Sequence, residues 1–356
     1  VTSIPHPVAP QLTFGVDTHL EVHVAHANDQ LGRPVATLQI PTTPAGYQQL
    51  LRWAHELGEP VAWGVEGTGS YGAALARFLT VNGQVVVEVN RPDRQARRLK
   101  GKSDPLDARA AAKAVQAGEV TVLPKAGTGQ VEMIRCLRVA RATAMRARTQ
   151  TINALKGLLV TAPTELREQL RGRSVTRLVQ AAAALEPGPL TSPLAAAALA
   201  LGSLARRHQA LSAEIDSLTS QLERLVATAA PELVARFGIG HDSAGALLVA
   251  AGDNPDRLRS EAAFSMLCGA SPIPASSGKT IRHRLNRGGD RQANAALHRI
   301  VIVRLRYHQP TRDYMTTRLG QGKTKKEIIR CLKRYVAREV FAALHQMSQD
   351  LPTLAA

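Results

Sequence analysis

Four carboxylates in the first third of the sequence stand where a divalent-cation site needs them. Asp17 closes an apolar run in Phe14-Gly-Val-Asp-Thr18, and Glu66 closes another in Trp63-Gly-Val-Glu-Gly67. Asp104 and Asp107 are three residues apart near the start of a helix, so they project from one face about 5–6 Å apart. Acids at strand ends are costly to desolvate without a counter-charge. Two divalent cations about 4 Å apart would supply that charge and clamp the attacking and leaving oxygens of a phosphodiester. Hard oxygen donors select Mg²⁺ or Mn²⁺ over zinc. Taken singly, each acid also reads as a helix cap or a solvated turn, and Asp104 as a helix-dipole residue. Taken as a set, they point to a metal site.

Two further constellations bear on phosphate chemistry. Arg91, Arg94, Arg97, Arg98, Lys100 and Lys102 lead straight into Asp104, a run suited to holding a phosphate backbone against the metals; the ordinary alternative is a solvated charged face. Near the other end, Ser271-Pro-Ile-Pro-Ala-Ser-Ser-Gly278 precedes Lys279, Arg282, Arg284 and Arg287. A serine hydroxyl is a weak nucleophile, but surrounding cations stabilise its alkoxide and a pentacovalent phosphorus. Ser277, directly before glycine, is the candidate, with Ser276 as its alternate. Read blandly, the stretch is a flexible turn whose serines cap a helix. Gly67-Thr-Gly-Ser-Tyr-Gly72 matches the dinucleotide-binding fingerprint in outline. It falls on the fourth strand of its domain instead of the first, however, and directly follows a carboxylate that would repel a pyrophosphate.

The elements that must position these residues are legible from periodicity. Strands are predicted at Leu12–Val16, Leu20–Ala25, Val35–Ile40, Val61–Val65 and Val85–Val89. Helices are predicted over Thr43–Leu57, Tyr71–Val81 and Ser103–Gln116, with Ser103 as N-cap and Gly118 as stop. Three strands, then helix, strand, helix, strand, is the order of a ribonuclease-H-like fold. Residues 131–160 read as one long basic helix and Glu186–Leu190 as a turn. Leu204, Leu211, Ile215, Leu218, Leu222 and Leu225 then form a heptad seam that predicts helix pairing within or between chains. Phe237-Gly-Ile-Gly240 before Ser243–Ala251 resembles a helix-hairpin-helix turn with a phosphate at the helix N-terminus, or else a plain connector. The final 65 residues read as helical and basic.

Composition narrows the function classes. The 356 residues carry a formal charge of +17, and 44% are hydrophobic, which is normal for a globular chain long enough for two or three domains. The charge is uneven. In the first 90 residues three arginines face seven acids, so the remainder is strongly basic, as in a protein that handles a polyanion. No run of 18 apolar residues and no signal-like leader is present, so neither a membrane span nor secretion is expected. Cys136, Cys268 and Cys331 are too few and scattered for a disulfide framework, which predicts a reducing cytoplasm. At 3% aromatic residues, base-stacking modules are poorly supplied.

Three segments together resemble a known family. Phe14-Gly-Val-Asp17, Val65-Glu66-Gly-Thr-Gly69 and Lys102-Ser-Asp-Pro-Leu-Asp-Ala-Arg109 look like the DEDD motif of the insertion-sequence one-ten class of transposases, relatives of the Piv DNA invertase. Phe264-Ser-Met-Leu-Cys-Gly-Ala-Ser-Pro272, Ser276-Ser-Gly278 and Arg287-Gly-Gly-Asp-Arg-Gln-Ala-Asn294 are similar to that family's second domain. The resemblance implies an α/β plus all-α chain. Its parts would be a RuvC-like, ribonuclease-H-fold DEDD domain at 11–125, a helical, coiled-coil linker and dimerisation region at 126–230, and a helical transposase domain with a serine nucleophile at 231–350. It implies that Asp17, Glu66, Asp104 and Asp107 hold Mg²⁺ (or Mn²⁺) and that Ser277 forms a covalent phosphoserine at the same scissile phosphate. Implied partners are donor and target DNA, a structured non-coding bridge RNA that supplies sequence choice, and further copies of the chain as a homodimer assembling to a tetramer. The implied location is the bacterial cytoplasm, associated with the nucleoid.

The rival readings keep some of these parts. A metal-only junction resolvase would use the same acids with water as nucleophile. An architectural nucleic-acid-binding protein would bind without turnover, and a sugar-kinase-like ATPase would use Gly-Val-Asp-Thr at a phosphate.

Overall fold

The computed structural model describes residues 10–89, 104–254 and 257–349, and of 347–349 the backbone alone. They form two compact units. One is drawn from the chain up to Gly129 together with Ala251–Ser260, the other from Gln130–Ala250 and from Glu261 onward. The long middle helices therefore share a unit with the carboxy-terminal helices. No helix of the described residues is long and apolar enough to cross a membrane.

The first unit runs β1 (Gln11–Thr18), β2 (Val22–Asn28), β3 (Pro34–Pro41), α1 (Pro44–Leu57), β4 (Glu59–Glu66), α2 (Ala73–Val81), β5 (Val86–Val89) and α3 (Asp104–Gln116). The strands form one mixed sheet in the order β3-β2-β1-β4-β5. β2 is antiparallel to β1 and β3, whereas β4 is parallel to β1 and β5. Side chains alternate across a sheet, so the register pairs Phe14↔Trp63 and Val16↔Val65 share one face. That face is the core, where the Phe14 and Trp63 rings stack at 4.3 Å beneath Tyr47, Leu50 and Ala54 of α1 and Leu75 and Leu79 of α2.

The opposite face carries the register pair Gly15↔Gly64 and receives α3. A Cβ on Gly15 would run into the Ala108 carbonyl and the Ala112 nitrogen, and one on Gly64 would lie 2.9 Å from the Ala111 carbonyl. Two glycines against a fully buried Ala108/Ala111/Ala112 stripe let helix backbone and sheet backbone nearly touch. The Gln116 side-chain amide fixes the far end of α3 by donating to the carbonyls of Asp29 (2.9 Å) and Gln30 (2.8 Å). Gly118, at φ +67, then turns the chain out of the helix.

A later segment completes this unit. Asp253 accepts the backbone N–H groups of Gly127 (3.0 Å), Thr128 (3.1 Å) and Gly129 (2.9 Å). Asn254 brackets the same loop through Ala126 N and Pro124 O, and Arg257 pairs with Glu88 at 3.4 Å. Burial alone would raise the Asp253 carboxyl. The hydrogen bonds from Gly129, Gly127, its own N–H and Thr128 outweigh that and hold it below the ordinary carboxylate range. Its stabilisation is therefore present above about pH 4 and is lost as pH falls through the depressed folded value. Water reaches part of the site, so Asp253→Ala is expected to cost about 2 kcal/mol at neutral pH. Amide exchange at Gly127–Gly129 should accelerate in the variant, and the thermal midpoints of variant and native chain should converge in acid.

The second unit is built on α4 (Gln130–Thr161) and α7 (Pro193–Ala229), helices of 32 and 37 residues. At 1.5 Å per residue the longer spans roughly 55 Å. They pack along each other. α5 (Thr164–Leu170) and α6 (Val175–Ala183) fold over one end, where Leu155, Leu166, Leu170, Val179 and Leu201 make a local core. The heptad seam is thus taken up within the chain, with Ile215 and Leu222 buried and Leu204, Leu211, Leu218 and Leu225 half-buried. The remaining elements are α8 (Pro231–Val234), α9 (His241–Ala251), α10 (Glu261–Leu267), the short strands β6 (Ile273–Pro274) and β7 (His283–Arg284), α11 (Arg291–Tyr307), α12 (Gln309–Gly320) and α13 (Lys325–Gln349).

Candidate active site

The sheet register brings Asp17 and Glu66 to neighbouring strand ends. Val16 pairs with Val65, so the next residues, Asp17 and Glu66, end adjacent parallel strands side by side. Each lies two residues beyond the glycine on its strand, and therefore faces the side on which α3 lies. The Thr18 hydroxyl locks the two strand ends together by donating to the Glu66 carbonyl at 2.9 Å. The glycine-permitted approach of α3 sets Asp104 and Asp107 in its first turn on that side. Asp17, Glu66 and Asp107 are each 5–6% exposed, whereas Asp104 is half-exposed.

His19 lies between two of them. Its Nδ1 is 3.7 Å from Asp17 Oδ2, and its Nε2 is 4.0 Å from Asp104 Oδ1. Among the described residues, Asp17, His19 and Asp104 form the cluster whose donor atoms all lie within 4.8 Å of one another; Glu66 and Asp107 stand outside it. Carboxylate oxygens with an imidazole nitrogen make a donor set that suits a divalent cation. Sequence reasoning passed over His19, although its i+2 spacing from an acid at a strand end was the available signal.

The glycines after Glu66 have local steric duties. Gly67 sits at φ +61 and leaves 3.1 Å between a would-be Cβ and Thr18 Oγ1, while a Cβ on Gly72 would crowd the Glu66 carbonyl at 2.5 Å. They turn the chain sharply at the acid, which accounts for the fingerprint-like spacing without a nucleotide. The same reasoning applies at the floor of the site. Gly15→Ala overpacks backbone against backbone, so it should cost at least about 1–3 kcal/mol and displace α3. The expected readout is a lowered melting temperature together with lost strand cleavage.

In the second unit, the stretch read from sequence as a flexible turn is a hairpin. Ser277 and Thr280 exchange two backbone hydrogen bonds of 3.1 Å, and Ala275 N donates to Arg282 O at 2.9 Å. Gly278 opens the two-residue turn at φ +56, as a type II′ turn requires. The two serines differ. Ser276 Oγ accepts the Arg282 N–H at 3.2 Å and donates to the Arg282 carbonyl at 3.4 Å. Among the described residues the exposed Ser277 hydroxyl has no hydrogen-bond partner. Lys279, Arg282, Arg284 and Arg287 are all exposed around it.

Arg284 and Arg287 line a groove of about 1320 Å³ whose other wall is α13, with Lys326, Arg330, Lys333 and Arg338; Glu327 is the one carboxylate on its lining. Lys333 is set into that wall, its Nζ donating to Asn294 Oδ1 at 2.7 Å. Burial, and then the neighbouring Arg330, hold Lys333 below the ordinary lysine range. Asn294 in turn donates to the carbonyls of Cys268 and Gly269. Asp290 caps α11 through Gln292 N and Ala293 N, and Gly289 crosses Gly269 backbone to backbone. The Arg287–Asn294 motif thus has a structural role, seating the groove's two walls. Burial pushes the Cys268 thiol beneath them up to about 12.

Two expectations have different outcomes. Arg91, Arg94, Arg97, Arg98, Lys100 and Lys102, with the Ser103 cap, lie outside the described residues. The N-terminus of α9 bears its own charge cluster. Asp242 there accepts from Arg138 (2.9 Å), Arg141 (3.2 Å) and Arg299 (2.8 Å), so Gly-Ile-Gly acts as a connector whose end is stapled to α4 and α11.

Comparison with known proteins adds two family matches. Residues 14–162 match the DEDD transposase model of IS110, described as a transposase, and residues 232–316 match the Transposase IS116/IS110/IS902 family. Together they span about two-thirds of the chain. No curated protein matches it.

Proposed function

This chain belongs to the IS110-class DEDD transposases, enzymes that cleave and rejoin DNA, and we propose that it does so with a metal-binding carboxylate centre in one unit and a serine nucleophile in the other. The observation that carries this reading is the side-by-side ending of Asp17 and Glu66 on adjacent parallel strands, with the aspartates of α3 brought to the same side by the Gly15–Gly64 floor. The β3-β2-β1-β4-β5 sheet supports a RuvC-like, ribonuclease-H-type domain. In functional terms the chain divides into a catalytic region (11–125), a helical linker (126–230) and a transposase region (231–350).

Asp17, Glu66, Asp104 and Asp107 hold Mg²⁺ or Mn²⁺. When bound, the cation supplies positive charge to the phosphorane and the leaving oxygen. The Ser277 hydroxyl loses its proton as Oγ bonds to phosphorus, the P–O bond to one strand end breaks, and the departing oxygen takes up a proton to leave as a hydroxyl. Rejoining reverses this with a hydroxyl of the new strand, which frees the serine. Lys279 and Arg282 neutralise the attacked phosphate, while Arg284, Arg287 and the α13 cations track the nucleic-acid backbone. The cations of residues 91–102, which precede Asp104 in the sequence, serve the same purpose. A bridge RNA supplies sequence choice by pairing with donor and target DNA, since a groove with at least seven lysines and arginines on its lining is suited to the phosphate backbone that all sequences share. The working form is a homodimer that assembles to a tetramer in the bacterial cytoplasm, on the nucleoid.

The test is recombination between plasmids carrying the DNA that flanks the gene, with any structured non-coding stretch transcribed and Mg²⁺ present. Recombined junctions and a protein–DNA adduct on a denaturing gel are expected. Cleavage of branched DNA without an adduct would favour the junction resolvase. Salt-sensitive binding without Mg²⁺-dependent turnover would favour the architectural protein.

A further inference from the structure

We propose that His19 is a nitrogen ligand of the cation centre, adding an imidazole to the carboxylates and sharing one cation with Asp17 and Asp104. The inference rests on the metal-centre reading above and specifies it. The imidazole's distances to the two carboxylates, 3.7 Å and 4.0 Å, are too long for hydrogen bonds. They suit donors that share one cation, since two ligands about 2.1 Å from a common ion stand up to about 4.2 Å apart.

The backbone that carries the ring is also held in place. The His19 N–H is directed to the Val22 carbonyl at 3.2 Å and to His23 Nδ1 at 3.3 Å. That fixes the tight turn between β1 and β2 on which the imidazole is mounted. The His23 ring is fully buried and stacked parallel to Tyr47 at 5.9 Å. Its Nδ1 stands as the acceptor of the His19 N–H. His23 is thus a positioning residue for His19.

A nitrogen donor moves a site's preference from Mg²⁺ toward first-row transition cations. The chain should therefore bind Mn²⁺ more tightly than its carboxylates alone would.

The test uses the full chain with Mn²⁺ as the probe, read by pulsed electron paramagnetic resonance and by titration. Native protein is expected to show histidine nitrogen coupled to the bound Mn²⁺, with the ¹⁵N shift when histidine is labelled. In His19→Ala that coupling should vanish and Mn²⁺ affinity should fall by about tenfold or more, while Mg²⁺ affinity changes much less. His19 is half-exposed in a turn, so the variant should fold; Asp17→Asn, which should lose Mn²⁺ altogether, is the companion. Bound Mn²⁺ without nitrogen coupling in the native chain, or coupling that persists in His19→Ala, would overturn the assignment and leave the carboxylate centre standing. Mn²⁺ and Mg²⁺ binding unaffected by Asp17→Asn would overturn the centre itself.

Discussion

Asp17→Asn is expected to slow DNA strand cleavage by at least about a thousandfold while leaving nucleic-acid affinity within a fewfold of native. The substitution keeps the shape of the side chain and the β1 register to β2 and β4, which are backbone properties. What it removes is a nearly buried negative charge at the meeting point of two strands and α3. Metal stabilisation of the reacting phosphate is worth several kcal/mol, and about 4 kcal/mol corresponds to three orders of magnitude in rate. On the proposed reading, binding draws on lysines and arginines such as those lining the second unit's groove, and the substitution removes none of them. Single-turnover cleavage and a filter-binding isotherm on the same preparation separate the two effects. A cleavage rate within threefold of native would remove Asp17 from the chemistry.

Ser277→Ala should abolish the covalent protein–DNA species, and Ser276→Ala should not. The hairpin explains the asymmetry. The Ser276 hydroxyl is committed across the strands to both backbone groups of Arg282, so replacing it loosens the tip. A loss of about 1–2 kcal/mol would lower the rate roughly five- to thirtyfold without changing the nucleophile. Ser277, at the turn beside Gly278, has its hydroxyl exposed and uncommitted among the described residues. Its removal leaves no oxygen to bond phosphorus. The opposite pattern on a denaturing gel, an adduct lost only in Ser276→Ala, would reassign the attack to Ser276.

The parts of this architecture that depend on local chain chemistry were readable from the residues alone. The five strands and the helices of the first unit follow alternation and 3.6-residue spacing, and most of their ends fall within two residues of expectation. Leu20, 69% exposed, lies in the turn before β2 instead of opening that strand. The four acids were found because each adjoins a recognisable break. What was missed depends on pairs distant in sequence. Gly15 and Gly64 look unremarkable singly; only the register pairs them into a floor for α3. His19 gains meaning only when α3 brings Asp104 to it. The seam of α7 announced a partner helix but could not say that α4, some fifty residues earlier, would be it. The serine stretch read as a loop because a two-residue turn between two-residue strands leaves almost no periodic signal.

The return of Asp253, Asn254 and Arg257 to the loop before Gln130 has a consequence for biosynthesis. A ribosome delivers the amino-terminal sheet early, yet the anchors that complete that unit are more than a hundred residues behind it, and the whole of α4 to α9 must be translated first. Domains usually mature in order of synthesis, but here the first unit is finished only after residues 130–250 of the second have been translated. An excised fragment ending near Gly129 would lack those anchors, as would any nascent chain stalled before them. A prematurely terminated product therefore carries the sheet and its acids without the anchors that complete their unit.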